Sequence, residues 1–156
     1  MVLTGSGGHF CSGLDLAEHK ARSGEDTVYH SRNWHRVSDL IEYGRLPVIS
    51  AMTGAVIGGG LEIAASTHVR IAEPSVRFQL PEGRRGIFVG GGATVRIGRL
   101  IGADRMREMM LTGRSYGAQE GWPSVLPIMW WRKVRRSARR WKSPCASPPM
   151  RRSRTI

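Results

Sequence analysis

The chain has 156 residues, with 24 Lys+Arg against 12 Asp+Glu and two cysteines, Cys11 and Cys145. That length fits one domain, two cysteines cannot build a disulfide framework, and no apolar run reaches the ~18 residues that span a bilayer. The N-terminus, MVLTGSGGHF, has no charged segment followed by an apolar stretch, so the sequence predicts a cytoplasmic rather than a secreted protein.

In chain order, Val2–Thr4 reads as the end of a buried strand, stopped by Gly5, Gly7 and Gly8. Residues 27–43 read as a helix with Val28, Val37, Leu40 and Ile41 on its apolar face and Gly44 closing it. Pro47–Thr53 is a second buried strand, with proline at its first position, where a missing N–H is tolerated. Gly58-Gly59-Gly60 opens a short helix from Leu61 to Ser66, and Val69–Ala72 is a third strand. Gly90-Gly91-Gly92 opens a helix through Ile101, and Ala103–Leu111 is the next, with Met106, Met109 and Met110 as core filling. Short strands alternating with helices, and glycines at the strand-to-helix turns, predict an α/β fold.

Composition breaks near residue 121. All 12 acidic residues precede it, with 14 basic ones; residues 121–156 carry 10 Lys+Arg and no acid. The same stretch holds four of the five tryptophans and five of the eight prolines, but only one of the 20 glycines, Gly121. The sequence therefore divides into a body, 1–121, and a basic Trp/Pro/Arg-rich tail, 122–156. The tail's arginine pairs have no helical period, and Pro144, Pro148 and Pro149 break any helix. It reads as unstructured or as a non-native reading frame. A tail docking nucleic acid through phosphate and base-stacking contacts is the weaker alternative, as is one lying on an anionic membrane.

The glycine runs point to a site. Glycine lets a ligand approach bare backbone N–H groups, and a helix N-terminus adds unpaired donors and partial positive charge. Together these suit an anion or a developing oxyanion. A Walker loop would need Gly-Lys-Ser/Thr, which is absent, and a dinucleotide fingerprint would need a third glycine where Ile63 stands. Two glutamates lie in apolar company beside these turns. Glu62 sits between Leu61 and Ile63, and Glu82 follows Phe78-Gln79-Leu80-Pro81. Such carboxylates suit acid–base work. Each alone also fits an ordinary role: Glu62 in a helix first turn, Glu82 paired with the adjacent arginines. The five histidines make no metal pattern, and Cys11 reads as a small buried residue. Trp34 reads as core or as the edge of an acyl pocket.

These segments resemble the crotonase superfamily, the enoyl-CoA hydratase/isomerase family. The resemblance rests on Phe10-Cys11-Ser12-Gly13-Leu14-Asp15-Leu16, on Pro47-Val48-Ile49-Ser50-Ala51-Met52-Thr53-Gly54 with Gly58-Gly59-Gly60-Leu61-Glu62, on Phe78–Glu82, on Gly86–Gly92 and on Leu111-Thr112-Gly113-Arg114. It runs from residue 2 to about 121. It implies an incomplete crotonase-like superhelix of strand-strand-helix units and a 2-enoyl-CoA thioester substrate. By resemblance, the backbone N–H groups of Leu14 and Gly59 form the oxyanion hole, where each donor contributes ~3–4 kcal/mol. Glu62 and Glu82 are the catalytic pair and Gly90 holds the water. Ser12, Leu14, Asp15, Leu16, Ala17 and Gly59 contact the substrate. No dissociable cofactor or metal is implied, since CoA belongs to the substrate; a full-length relative is expected to be a trimer or hexamer.

The functional expectation is syn hydration of the enoyl thioester. A double-bond isomerase or another CoA-thioester enzyme of the superfamily is the alternative within enzymes; an inactive fragment, or a binding module with a cationic tail, are the alternatives outside them. The family pattern expects Gly-Leu-Val after the step Ala118-Gln119-Glu120-Gly121, where Trp122-Pro123 stands instead, and further strands before Val2. A shift of reading frame near codon 121 accounts for the abrupt change. Sequencing the locus should reveal a family-like C-terminus in another frame, and its absence would defeat that expectation.

Overall fold

A computed structural model describes residues 1–120 and the two-residue strand Met129–Trp130. The rest of the basic tail, with the readings made of it, lies outside the described residues. The strands are β1 (Val2–Thr4), β2 (Ile49–Met52), β3 (Ala55–Ile57), β4 (Val69–Ala72), β5 (Arg77–Gln79), β6 (Ser115–Gly117) and β7 (Met129–Trp130). The helices are α1 (Leu16–Lys20), α2 (Gly24–Glu42), α3 (Gly59–Ser66), α4 (Ala93–Ile101) and α5 (Ala103–Thr112), with a 3-10 turn at Gly83–Arg85.

Two sheets form, in the orders β1-β2-β4-β7 and β3-β5-β6. The first is parallel throughout, with Leu3 opposite Ser50 and Ser50 opposite Arg70. In the second, β3 and β5 are parallel and β6 returns antiparallel. The chain winds as a superhelix. Each turn lays one strand in the first sheet and then, after a sharp bend, one in the second: β2 then β3, and β4 then β5. The earliest turn does the same in reduced form, since β1 is followed by Cys11, which bridges Val56 of β3.

One cross-strand row anchors the core. Val56, Phe78 and Tyr116 stand in register across β3, β5 and β6, and all are buried. They join Leu61 and Ala64 of α3, Ile97 of α4, and Met106, Met109 and Met110 of α5 in one apolar cluster. The methionines are core filling, as the sequence suggests. Adjacent cross-strand pairs of this kind are the unit of sheet stabilisation.

Helix α2 departs from expectation in two ways. It begins at Gly24, because Ser23 and Asp26 form a reciprocal capping box. Its buried flank is also not the apolar one. Val28, Val37 and Leu40 are exposed, whereas Ser38 is buried and Thr27, Ser31, Trp34 and Ile41 are half-buried. The inward flank is polar because it meets polar groups. Ser31 Oγ donates to the Gly90 carbonyl at 3.2 Å. Asp39 and Glu42 take the buried guanidinium of Arg96 on α4, the Glu42 bond being 2.6 Å. Apolar periodicity alone gives the helix but not its facing.

Among the described residues, no helix is long and apolar enough to cross a membrane. His9 and His68 each accept a backbone N–H on Nδ1, from Ala55 and Val48 respectively, both at 3.1 Å.

Arg96 is the one buried cation joining α4 to α2. Replacing it with alanine removes hydrogen bonds to two carboxylates, of which Asp39 is already half in solvent. Arg96→Ala should lower stability by about 2 kcal/mol, the scale of one charged hydrogen bond, in urea denaturation of the full chain. An unchanged midpoint would show that the helix is held by other contacts.

Candidate active site

The glycine turn Gly58–Gly60 ends β3 and starts α3, and its compactness is forced by close neighbours. A side chain on Gly60 would collide with the Cys11 backbone, and one on Gly58 would stand 2.8 Å from Glu82 Oε1. Gly13 has φ +95°, and a Cβ there would lie 2.8 Å from the Ile57 carbonyl and 3.4 Å from the Gly59 nitrogen. The turn Ser12–Leu14 is thereby pressed edge to edge against Ile57–Gly59. Neither the Leu14 nor the Gly59 backbone N–H has a hydrogen-bond acceptor among the described residues. Two free donors therefore stand on adjoining turns, one of them at the first residue of α3.

A cleft opens beside them, lined by Ser12, Gly13, Leu14, Leu16, Ile57, Gly58, Pro81, Glu82, Arg85 and Ile87. Its water-accessible volume of about 20 Å³ is room for one water molecule. Of the residues expected to touch substrate, Ser12, Leu14 and Leu16 line this cleft, and Gly59 adjoins it through Gly13. Asp15 and Ala17 lie outside its lining. The Asp15 carboxylate caps α1, accepting the N–H groups of Ala17 at 2.9 Å and Glu18 at 3.2 Å.

Glu62 projects from the first turn of α3 and is buried. Its Oε1 accepts the backbone N–H of Gly91 at 2.9 Å and of Ala93 at 3.1 Å. These are donors at the N-terminus of α4, where the helix leaves its first N–H groups unpaired. Burial pushes the Glu62 pKa up; the Ala93 and Gly91 N–H groups, then His35 and Trp34, oppose it. Glu82 precedes the 3-10 turn and is buried too. Its Oε2 is sealed from solvent with no hydrogen-bond partner among the described residues. Burial, foremost, pushes its pKa up to about 7, and the nearby Glu62 charge adds to the rise, while its own backbone N–H and Arg85 oppose it. The two carboxylates thus sense each other while sitting in unlike surroundings.

Gly90 is exposed, and its N–H has no acceptor among the described residues. It is the next residue, Gly91, that grips Glu62. A side chain on Gly91 would collide with both the Trp34 indole and Glu62 Oε2, so only glycine lets the loop close on that carboxylate. Sequence reasoning missed Gly13, Gly91 and Arg96 as parts of the site, and read Arg85 only as an ordinary neighbour of Glu82. Gly91 carried a signal in its run; Gly13 and Arg96 carried none, because their neighbours come from distant segments.

The enoyl-CoA hydratase/isomerase family matches residues 1–124. The rice peroxisomal fatty acid beta-oxidation multifunctional protein is 39% identical over 125 residues, which cover 78% of this chain and 17% of that protein. Methylglutaconyl-CoA hydratase 1, mitochondrial, of Pyricularia oryzae is 38% identical over 113 residues, covering 72% and 32% respectively. Solved structures similar to the chain include ones described as enoyl-CoA hydratases. The one from Rhodopseudomonas palustris CGA009 is 52% identical with a TM-score of 0.79, covering 85% of this chain and 52% of its own. The chain therefore spans about half the length of its structural relatives and less of the curated ones. The family match over most of the chain and the TM-score of 0.79 agree: the chain belongs to the enoyl-CoA hydratase/isomerase family, with a crotonase-like α/β fold.

Proposed function

We propose that this chain carries the catalytic centre of an enoyl-CoA hydratase, which adds water across the double bond of a 2-enoyl-CoA thioester. The observation that carries the reading is the pair of buried glutamates, Glu62 and Glu82, close enough for their charges to interact, with Glu82 lining the cleft beside two backbone donors that have no acceptor among the described residues. Hydration needs a held water, a base for it and an acid for the carbon; an oxyanion site alone would serve many thioester reactions.

The thioester carbonyl lies between the N–H groups of Leu14 and Gly59. The water sits between Glu62 and Glu82, with the Gly90 N–H as a further donor. Glu62, with two N–H bonds favouring its carboxylate, takes a proton from the water as the oxygen bonds to the β-carbon. The π electrons move into the thioester, and the charge on its oxygen is met by the two N–H groups. Glu82, whose raised pKa keeps it protonated toward neutrality, gives its proton to the α-carbon. One water is added and the site ends one proton transfer from its starting state. Ser12 and Leu16 line the approach of the thioester arm, and no dissociable cofactor enters the reaction.

Two consequences are measurable, the first with crotonyl-CoA. Glu82→Gln should lower kcat by about 10³-fold, within the range of a lost general acid; near-normal turnover would sink the assignment. The same residue links to stability. Its carboxyl titrates at 4.5 ordinarily and at about 7 in the fold, so the folded state binds the proton more tightly. The stability this gives is complete below about 4.5 and is lost as pH rises through about 7. Denaturation across that window should show a decline in the native protein that is reduced in Glu82→Gln.

Gly13 tests the oxyanion site. Gly13→Ala strains a left-handed residue and pushes against Ile57. It should widen the Leu14–Gly59 gap and lower kcat by about 10²-fold, comparable to loss of one donor. A retained kcat, with KM unchanged or raised, would place the thioester elsewhere.

A further inference from the structure

Helix α2 carries one side chain, Trp34, that reaches Gly59, Gly91 and Glu62 at once. The six-membered ring of Trp34 faces Gly59, where a Cβ would stand 3.0 Å from Trp34 Cζ2. The other edge of the indole crowds Gly91 together with Glu62 Oε2. On its outer side the indole stacks on His30, with ring centroids 5.9 Å apart. Its Nε1 is sealed from solvent and has no aligned hydrogen-bond acceptor among the described residues. A buried indole N–H ordinarily finds a partner. Both N–H bonds from α4 go to Glu62 Oε1, and Oε2 takes none from the described residues.

We propose that Trp34 is a positioning residue for the hydration reaction, its indole N–H donating to Glu62 Oε2 while its ring edge holds Gly59. This rests on the hydratase reading for its role in turnover, but the hydrogen bond itself does not. Catalytic hydrogen bonds are often loose in the unliganded site and tighten when it fills. With Oε1 held by the α4 backbone and Oε2 by the indole, Glu62 can neither rotate nor tilt away from the water. The same ring sets the wall beside Gly59, so the distance between oxyanion donor and base is spanned by one rigid side chain. Other charged and titratable groups also face this carboxylate or the indole. His30 and His35 come from α2, Glu82 from the segment after β5, and Arg96 from α4 through the Gly91 carbonyl at 3.4 Å.

The test uses the full chain and two readouts. Trp34→Phe keeps a ring but removes the donor. It should lower kcat on crotonyl-CoA about tenfold with KM within about twofold. It should also move the acid limb of the pH profile upward by about one unit, since loss of a donor to a carboxylate raises its pKa. A merely structural tryptophan would change stability and leave the acid limb in place. The second readout needs no turnover. In ¹⁵N-indole spectra, the resonance that vanishes in Trp34→Phe should shift with pH in the native chain and stop shifting in Glu62→Gln. A Trp34 signal that does not titrate overturns the proposal. So does one that still titrates in Glu62→Gln, because that motion belongs to His30, His35 or Glu82. If no enoyl-CoA is turned over at all, the hydratase reading fails while the indole titration still decides the contact.

Discussion

The site depends on a carboxylate that is carried by one helix and satisfied by another. Glu62 stands on α3, and its two N–H partners belong to the start of α4, about thirty residues later. Burying a carboxylate is costly unless it is hydrogen-bonded. The N-terminus of α4 offers what it needs, unpaired donors and partial positive charge, without a counter-ion that would compete for the water. The bond also does structural work, since it ties the first turn of α3 to the segment that opens α4. Gly91 makes this possible: a side chain there would collide with Glu62 Oε2.

Glu82 lies nearby under different rules. It has a sealed oxygen without a hydrogen-bond partner among the described residues, and the Glu62 charge beside it. Desolvation and like charge both favour the neutral acid there, whereas the paired N–H groups favour the carboxylate at Glu62. Both pKa values are raised by burial, yet only Glu62 has strong opposing donors. One element of asymmetry, the α4 N-terminus pointing at one glutamate and not the other, is enough to give two chemically identical side chains unlike protonation environments. Because the two groups interact, their protons leave as a coupled pair.

Much of this arrangement was legible in the residues and some was not. The helices opened by glycine runs were placed within two residues, because glycine's turn chemistry is local. β1 and β4 were placed at their observed bounds, and β2 inside a slightly longer apolar run. Strands β3, β5 and β6 were not foreseen. At three residues each, they have no periodicity to read, and their pairing is set by the bend of the superhelix. The catalytic candidates were legible through their neighbours: Glu62 and Glu82 stood in apolar company beside glycines. The facing of α2 was not. Its apolar residues suggested one side, but its inward side is chosen by Arg96, some 54 to 57 residues away, and by a glycine carbonyl. Long-range polar partners of this kind leave no trace in a local pattern.

That facing has a physical logic once the glycines are considered together. A loop made of Gly90, Gly91 and Gly92 can approach a carboxylate, but it has no side chains with which to hold itself in place. Backbone freedom of this kind is costly to freeze. The brace must therefore come from outside the loop, and α2 supplies it at successive turns. Ser31 takes the Gly90 carbonyl, Trp34 covers Gly91, and Asp39 and Glu42 hold the Arg96 that also reaches the Gly91 carbonyl. These residues recur at helical spacing on one flank, and each addresses the loop rather than the apolar core. A polar inward face on α2 is thus the counterpart of a site built from bare backbone: the fewer side chains the loop has, the more its neighbour must bring.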